Sequence, residues 1–217
     1  MNISIMAGGP IQFLPDLQTY KTHTDIWVGV DHGVLVLLEH DIIPNLALGD
    51  FDSVTSEELK MIQEKLPEVS LFPPEKDETD LELAIDWAIR QKPSNIYILG
   101  ATGGRIDHFL ANIQLLQKER ILQYVSETNI YIVDEKNSLT VKTPGTYPIQ
   151  ADLTKKYFSL LSVTKEVSEI TLTGFKYPLS RATLTRGSTL CISNELISDC
   201  GNVSFEKGIL MMVRSND

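Results

Sequence analysis

The feature that most constrains the fold is a repeated order of short apolar or β-branched runs, each followed by a turn and a helical pattern. The predicted strands lie at Asn2–Met6, Ile26–Val30, residues 46–48, residues 69–72 and Asn95–Leu99. Two following helices, near residues 55–66 and 79–91, begin with a Thr-x-x-Glu capping box and stop near a proline. Repeated strand, turn and helix is typical of a parallel α/β sheet, so we predict a Rossmann-like α/β domain at the N-terminus.

The pattern changes near Asn129. From there the chain consists of short stretches rich in Thr, Val, Ile, Leu and Tyr, punctuated by Pro144-Gly145, Gly174, Gly187, Gly201 and Gly208. Regular turn signals without a helical period predict an antiparallel β-sandwich or barrel. We therefore divide the chain into an α/β domain of residues 1–127 and an all-β domain of residues 128–217.

Composition and charge exclude several classes of protein. The formal net charge of -10 argues against a nucleic-acid backbone as partner, because such binding depends on Lys and Arg. No apolar run is longer than residues 34–38, which is far shorter than a membrane span, and the first ten residues carry no Lys or Arg of a signal peptide. We expect a cytoplasmic protein without a membrane partner. Cys191 and Cys200 have no neighbouring Cys or His at metal-ligand spacing, which supports neither a zinc site nor a disulfide framework.

The acidic excess lies in the first domain. Residues 1–127 contain 9 basic and 20 acidic residues, whereas residues 128–217 contain 10 and 9. Blocks of acidic residues are usually solvated surface, but several of these carboxylates fall in short loops between a strand and a helix. Ligands of an open α/β sheet bind at the carboxyl ends of the strands, so these loops are the candidate site.

Two glycine turns follow predicted strands. Gly8 and Gly9 come after the first strand, and the segment from Gly100 to Gly104 comes after the fifth. Such turns present backbone N–H groups to an anion, although glycine pairs also serve simply as tight turns. The second turn lacks the Gly-Lys-Ser/Thr ending of a Walker A loop, but Arg105 adds a planar guanidinium suited to phosphate.

Carboxylates follow the second and third strands. Asp31 ends the second strand, where it can also serve as the N-cap of a helix over Gly33–Glu39. Asp50 and Asp52 flank Phe51, and in extended chain their side chains point the same way. Neighbouring carboxylates repel each other, and a hard cation such as Mg²⁺ would neutralise them, although Asp-rich turns before helices are also common.

The fourth strand is followed by Lys76-Asp77-Glu78-Thr79-Asp80. If Thr79 is the N-cap, Asp80 occupies the first helical position, where the helix dipole already favours an anion. The functional interpretation is that Asp80 is a third metal carboxylate and that Lys76 reaches a phosphate. Acid clusters, glycine turns and cations at one edge of one sheet suit a polyphosphate with Mg²⁺.

These strings together resemble the thiamine pyrophosphokinase family. The resemblance rests on Asp31-x-Gly33, Gly49-Asp50-Phe51-Asp52-Ser53, Lys76-Asp77-x-Thr79-Asp80, Gly100-x-Thr102-Gly103-Gly104-Arg105-x-Asp107-His108, Gly174-Phe175-Lys176-Tyr177-Pro178-Leu179 and Ser193-Asn194-Glu195. It implies an Mg²⁺-dependent homodimer that transfers a diphosphoryl group from ATP to the hydroxyethyl group of thiamine, with each active site shared between subunits. His32 is a departure, since many relatives carry glycine there.

The resemblance also implies roles for individual residues. It makes Asp50, Asp52 and Asp80 the metal ligands and adds Arg105 and Asp107 to the catalytic set. We predict that ATP is bound by Gly8, Gly9, Asp31, Lys76, Asp77, Gly103, Gly104 and His108, and the resemblance implies that the segment of Ser193 and Asn194 binds thiamine. The base that accepts the alcohol proton is left open between Asp107 and Asp77.

Two other functions remain open from the residues. Carboxylates at strand ends also activate water, as in an Mg²⁺-dependent nucleotide phosphohydrolase. A module that senses a nucleotide without turning it over is the other alternative.

Overall fold

The computed structural model describes residues 1–49, 55–66, 69–71 and 77–217. The chain divides by spatial proximity into two units. Unit 1 consists of Met1–Leu115 with Glu127–Glu135, and unit 2 consists of Leu116–Ser126 with Lys136–Asp217.

A parallel sheet forms the centre of unit 1. Its strands are β1 (Asn2–Met6), β2 (Ile26–Val30), β3 (Leu46–Gly49), β4 (Val69–Leu71), β5 (Asn95–Leu99) and β6 (Asn129–Val133). Parallel pairing gives the order β4-β3-β2-β1-β5-β6, which confirms the predicted parallel α/β sheet. The chain grows outward from β1 to β4 and then returns to β5 on the other side of β1. Ligands of such sheets bind outside the carboxyl ends of the strands at this reversal point.

Strand β6 differs from the sequence analysis, which placed it in the all-β domain. Its sequence, Asn-Ile-Tyr-Ile-Val, almost repeats the Asn-Ile-Tyr-Ile-Leu of β5, and the two strands pair residue for residue from Asn129 beside Asn95 onward. The rings of Tyr97 and Tyr131 stack with centroids 5.6 Å apart. Residues 127–135 therefore group with unit 1, while a boundary between two domains after residue 127 stays a prediction.

Asparagine side chains connect three strands at the amino-terminal edge of this sheet. Asn95 Nδ2 donates to Asn2 Oδ1 at 2.8 Å, and Asn129 Nδ2 donates to Asn95 Oδ1 at 3.0 Å. The register places Asn2 beside Asn95 and Asn95 beside Asn129. We call this row of amides the asparagine ladder, and it favours the observed register of β1, β5 and β6.

The helices of unit 1 are α1 (Leu17–Lys21), α2 (Gly33–Glu39), α3 (Ser56–Lys65), α4 (Asp80–Arg90) and α5 (Ile106–Leu115), with a 3-10 turn at Ile11–Phe13. Two of them, α2 and α4, bury apolar faces on the sheet. In α4 the buried apolar residues recur at three- and four-residue spacing: Leu81, Ala84, Ile85, Ala88 and Ile89. Within the described ranges, no helix is long and apolar enough to span a membrane.

Unit 2 contains antiparallel sheets and the short helix α6 (Glu119–Leu122). Its strands are β7 (Asn137–Lys142), β8 (Gly145–Gln150), β9 (Tyr157–Ser162), β10 (Glu166–Thr173), β11 (Leu179–Thr185), β12 (Asn194–Glu195), β13 (Cys200–Phe205) and β14 (Leu210–Ser215). The orders are β12-β9-β14-β7 and β11-β10-β13-β8. Residues of both sheets, such as Phe158 and Val203, share one apolar core, which confirms the predicted antiparallel domain. Cys191 is buried, Cys200 is exposed, and both are free.

Candidate active site

The glycine turns after β1 and β5 lie side by side at the reversal point of the sheet. Gly9 N donates to Gly100 O and Ala7 N donates to Leu99 O, both at 2.8 Å. A Cβ atom added to Gly9 would lie 2.9 Å from the Gly100 carbonyl carbon and still closer to its oxygen. Gly100 has a φ of 66° and Gly103 a φ of 80°, which L side chains rarely adopt. The two backbones approach this closely because glycine occupies these positions.

The turn after β5 rests on the segment that follows β1. A Cβ on Gly103 would collide with the ring of Phe13, whereas a Cβ on Gly104 would make only ordinary contact with Pro10, at 3.5 Å. Asn112 Nδ2, from α5, donates to the carbonyl of Ala101 at 3.0 Å. The inner side of the turn is thus packed and anchored. Gly103 and Gly104 are exposed, so the turn is open to a ligand on its outer side.

Asp31 lies at the carboxyl end of β2, next to the end of β3. Its backbone has a left-handed φ of 48°, and its N–H donates to Leu48 O at 2.9 Å. A Cβ on Gly49 would lie 2.9 Å from Asp31 Cγ, so the Asp31 carboxylate packs against the residue that precedes Asp50. The N-cap position of α2 is held by His32, whose side chain makes no capping hydrogen bond. This geometry keeps Asp31 beside the start of the predicted metal segment.

Asp80 is the first residue of α4, as the sequence predicts. The Thr79 side chain accepts a hydrogen bond from Glu82 N at 3.2 Å and caps the helix. Because α4 connects the parallel strands β4 and β5, it begins at the edge where the strands end. Asp80 therefore shares this edge with Asp31, in a position where the helix dipole favours negative charge. Asp77 is exposed in the turn that precedes the helix.

Three predicted site residues, Asp50, Asp52 and Lys76, lie outside the described residues. Among the residues that the structure describes, no three or more His, Cys, Asp or Glu are grouped so as to hold a metal ion. Asp31 and Asp80 supply hard oxygen donors at one edge of the sheet, the ligand type that Mg²⁺ prefers. The described residues thus fit a magnesium site in their chemistry, and the full set of three carboxylates stays a prediction.

Arg105 and Asp107 form a two-point ion pair at the start of α5. Arg105 Nε donates to Asp107 Oδ1 at 3.1 Å and Nη2 donates to Oδ2 at 2.6 Å, while His108 N donates to Oδ1 at 3.0 Å. The Arg105 hydrogen bonds are the main cause that lowers the pKa of Asp107 to about 2. A carboxylate this acidic is a weak proton acceptor. With the pair intact, Asp107 is better suited to orienting Arg105 than to serving as a general base.

We expect the Asp107 carboxyl to titrate near pH 2 in the free protein. Arg105→Gln should move this midpoint up toward the ordinary value of about 3.9, because the cation that favours ionised Asp107 is gone. Because the pKa of Asp107 is lower in the folded chain than in the unfolded chain, the pair stabilises the fold at pH values above the ordinary Asp pKa. This contribution is lost as the pH falls toward about 2. Both side chains are exposed, so the effect on unfolding should be small. Carboxyl ¹³C NMR measures both midpoints, and equal midpoints would contradict the pairing.

In unit 2, Asn194 joins the two sequence strings that carry the family resemblance. Asn194 Oδ1 accepts from the N–H groups of Tyr177 and Glu195 at 3.0 and 2.9 Å, and its Nδ2 donates to Tyr177 O at 2.8 Å. Ser193 has a left-handed φ of 56°, and its N–H donates to Ser159 Oγ at 2.9 Å. The predicted thiamine residues are therefore adjacent to Tyr177, but the Asn194 side chain is largely engaged by backbone.

Glu195 connects two lysines that the sequence analysis did not single out. Its carboxylate oxygens lie 3.0 Å from Lys156 Nζ and 3.2 Å from Lys176 Nζ. Hydrogen bonds from these two lysines, Lys156 first, lower the pKa of Glu195. No local sequence pattern could have found these contacts, because the three residues are far apart in the chain and the partial burial of Glu195 is seen only in the structure.

Glycine turns at the reversal point and carboxylates at the same edge give unit 1 the arrangement of the α/β proteins whose ligands bind at the carboxyl ends of a parallel sheet. Comparison with family models refines this class. Residues 17–132 match the thiamin pyrophosphokinase catalytic domain, and residues 146–210 match the thiamin pyrophosphokinase vitamin B1 binding domain. The chain belongs to the thiamine pyrophosphokinase family, which confirms the resemblance drawn from the sequence.

Individual relatives agree with this assignment. The thiamine pyrophosphokinase of Bacillus subtilis (strain 168) is 49% identical over 217 residues, covering 99% of each chain. A crystal structure of thiamine pyrophosphokinase from Bacillus subtilis superposes with a TM-score of 0.92 at 48% identity and covers 100% of both chains. The thiamin pyrophosphokinase of Geobacillus thermodenitrificans gives a TM-score of 0.90 at 49% identity, covering 100% of this chain and 98% of its own.

Proposed function

We propose that this chain transfers a diphosphoryl group from ATP to the hydroxyethyl oxygen of thiamine, giving thiamine diphosphate and AMP. The observation that carries the proposal is the match of a catalytic-domain model and a vitamin B1 binding-domain model, in that order, along one chain. The 49% identity to the Bacillus subtilis enzyme over nearly the full length of both chains supports the same reaction.

We assign ATP to the reversal point of the unit 1 sheet, in a Rossmann-like arrangement. The exposed turn of Gly103 and Gly104 supports this assignment, because glycine turns between a strand and a helix commonly present backbone N–H groups to a phosphate. Gly8 and Gly9 belong to the neighbouring turn, and His108 follows in α5. Of the other predicted ATP residues, Asp31 and Asp77 lie at the same edge of the sheet, and Lys76 completes the set.

Magnesium is the cofactor that this set of residues suits. Asp80 would hold it together with Asp50 and Asp52, with Asp31 nearby. When bound, Mg²⁺ would neutralise charge on the phosphate oxygens, which the acidic unit 1 would otherwise repel.

The side chains of unit 1 supply positioning and charge. Arg105 uses Nε and Nη2 on Asp107, so Nη1 and the second N–H of Nη2 can donate two hydrogen bonds to a phosphate while Asp107 holds the guanidinium in place. The oxygen of the alcohol attacks the β-phosphorus, AMP departs, and the alcohol proton passes to a carboxylate. Asp77 is exposed before α4 and can take this role directly, whereas Asp107 would become a stronger base only if Arg105 moved away from it.

Thiamine is assigned to unit 2 through the segment that contains Ser193 and Asn194, within the region that matches the vitamin B1 binding model. Its thiazolium ring is cationic, and the excess of acidic residues in the first 127 residues would attract it. We further propose a homodimer with a shared active site. The cytoplasmic location stays a prediction.

The decisive experiment incubates the purified protein with ATP, Mg²⁺ and thiamine and follows AMP and thiamine diphosphate. We expect the two products to form in equal amounts and to require thiamine. Release of phosphate from ATP at the same rate with and without thiamine would identify a phosphohydrolase instead. ATP binding without any turnover would identify a nucleotide-sensing module.

A further inference from the structure

Lys176 and Tyr177 are here called the 176–177 segment. Hydrogen bonds of its backbone hold this segment against β12. Lys176 N donates to Glu195 O at 2.8 Å, and Phe175 forms an antiparallel bridge with Leu196. At Tyr177 the amide side chain of Asn194 replaces a backbone partner, since it accepts from Tyr177 N and donates to Tyr177 O. Asn194 therefore continues a strand-like ladder by one more step.

The Asn194 backbone is not available for this task, because it pairs with Phe158 of β9. A side-chain amide can accept and donate at the same time, as a peptide group does, and aspartate or alanine cannot do so at neutral pH. Asn194 is only 4% exposed, so leaving its amide or its partners without hydrogen bonds would be costly. Position 194 therefore requires asparagine, because its side chain must both accept a hydrogen bond from Tyr177 and donate one to it.

The side chains of the 176–177 segment do not explain why its backbone is fixed. Tyr177 is 61% exposed, and Lys176 is also exposed. Lys176 Nζ bonds to Glu195 and lies 5.7 Å from the centroid of the Tyr177 ring. The exposed Tyr177 ring contributes little to the core. Because its backbone is already ordered, less conformational entropy is lost when a ligand binds to the ring.

We propose that Asn194 is a positioning residue for thiamine: its buried amide holds the 176–177 segment in the conformation in which unit 2 receives the vitamin. This inference rests on the proposed function and refines it, because Asn194 acts through Tyr177 and not by direct recognition of the substrate. Both sequence strings lie within the region that matches the vitamin B1 binding model.

The test uses the full chain with Asn194→Ala, and Asn202→Ala serves as the matched control. Asn202 is an exposed asparagine on β13 of the same unit. We expect Asn194→Ala to raise the KM for thiamine by about tenfold or more, because both hydrogen bonds to Tyr177 are lost. The KM for ATP should stay within about twofold, a selectivity that general loss of folded protein would not produce. Asn202→Ala should change neither KM.

Hydrogen exchange at the Tyr177 amide tests the positioning step without turnover. We expect protection in the wild type and its loss in Asn194→Ala, since that amide donates to Asn194. Retained protection in the variant would overturn the proposal. Loss of protection in Asn194→Ala together with an unchanged KM for thiamine would also overturn it.

If Asn194→Ala does not fold, Asn194→Asp takes its place, because one oxygen keeps both acceptor contacts while the other can no longer donate to Tyr177 O and repels it. We then expect a rise in the KM for thiamine of about threefold or more, and an unchanged KM would contradict the proposal. Failure of the proposed function is a separate result: the wild type would then form no AMP in response to thiamine, whatever the exchange at Tyr177.

Discussion

Asp80→Asn is expected to lower kcat by about 10² to 10⁴ while the chain still folds. The substitution keeps the shape of the side chain and removes the charge assigned to the metal and its phosphates. Asp80 starts α4, so the lost interaction with the helix dipole should cost only about 0.3–1 kcal/mol of unfolding free energy. Formation of AMP and thiamine diphosphate at saturating ATP and thiamine measures the rate, and urea denaturation measures the stability.

Asp86→Asn is the matched control for this variant. Asp86 lies on the same helix but not in its first turn, so the net charge changes equally while the edge of the sheet does not. Its kcat should stay close to that of the wild type. The Asp80 variant should also need more Mg²⁺ for half-maximal rate. Near wild-type activity of Asp80→Asn would remove Asp80 from the metal site.

Gly9→Ala is expected to lower the unfolding free energy by about 1–3 kcal/mol and to weaken ATP binding. The added methyl group would collide with the carbonyl of Gly100 and would also lie 3.1 Å from the Thr102 oxygen. Backbone on both sides leaves no flexible side chain to give way, so the two turns must separate. Denaturation reports the stability, and titration with a non-hydrolysable ATP analogue reports the affinity.

Gly104→Ala, in the turn after β5, separates this steric effect from a general intolerance of alanine. Its added Cβ would make only ordinary contact with Pro10, so the unfolding free energy should change by less than about 0.5 kcal/mol. An equal loss of unfolding free energy in the two variants would show that the close approach of the two turns does not depend on glycine at position 9.

Local sequence patterns predicted most of unit 1, because its elements carry their own boundary signals. The apolar run of β2 and the helix from Gly33 to Glu39 were placed at their observed bounds, and Thr79 was identified as the cap of α4. The position of Asp80 at the start of α4 followed from that cap. The glycine turns were also visible, since close backbone approach needs a residue without a Cβ.

Pairing between distant parts of the chain was not visible in the same way. A strand pattern such as that of β6 does not specify its sheet, although its likeness to β5 was a usable signal. The ion pair of Arg105 with Asp107 could not be inferred from spacing alone, because either side chain could have faced a ligand instead. The hydrogen bonds of Asn194 to Tyr177 were also not predicted, because a sequence shows an amide but not the backbone that engages it.

By fixing the register of β1 and β5, the asparagine ladder also fixes the relative positions of the two glycine turns at the opposite end of the sheet. β1 and β5 each have 5 residues and start level at Asn2 and Asn95, so Ala7 and Gly100 follow at equal distances. A slip of one residue would displace one turn by about 3.3 Å, more than the contact between Gly9 and Gly100 tolerates. Deamidation of Asn95 would replace its donor with a negative oxygen beside Asn2. Deamidation at that remote amide would therefore disturb the alignment of the two glycine turns without altering any atom in them.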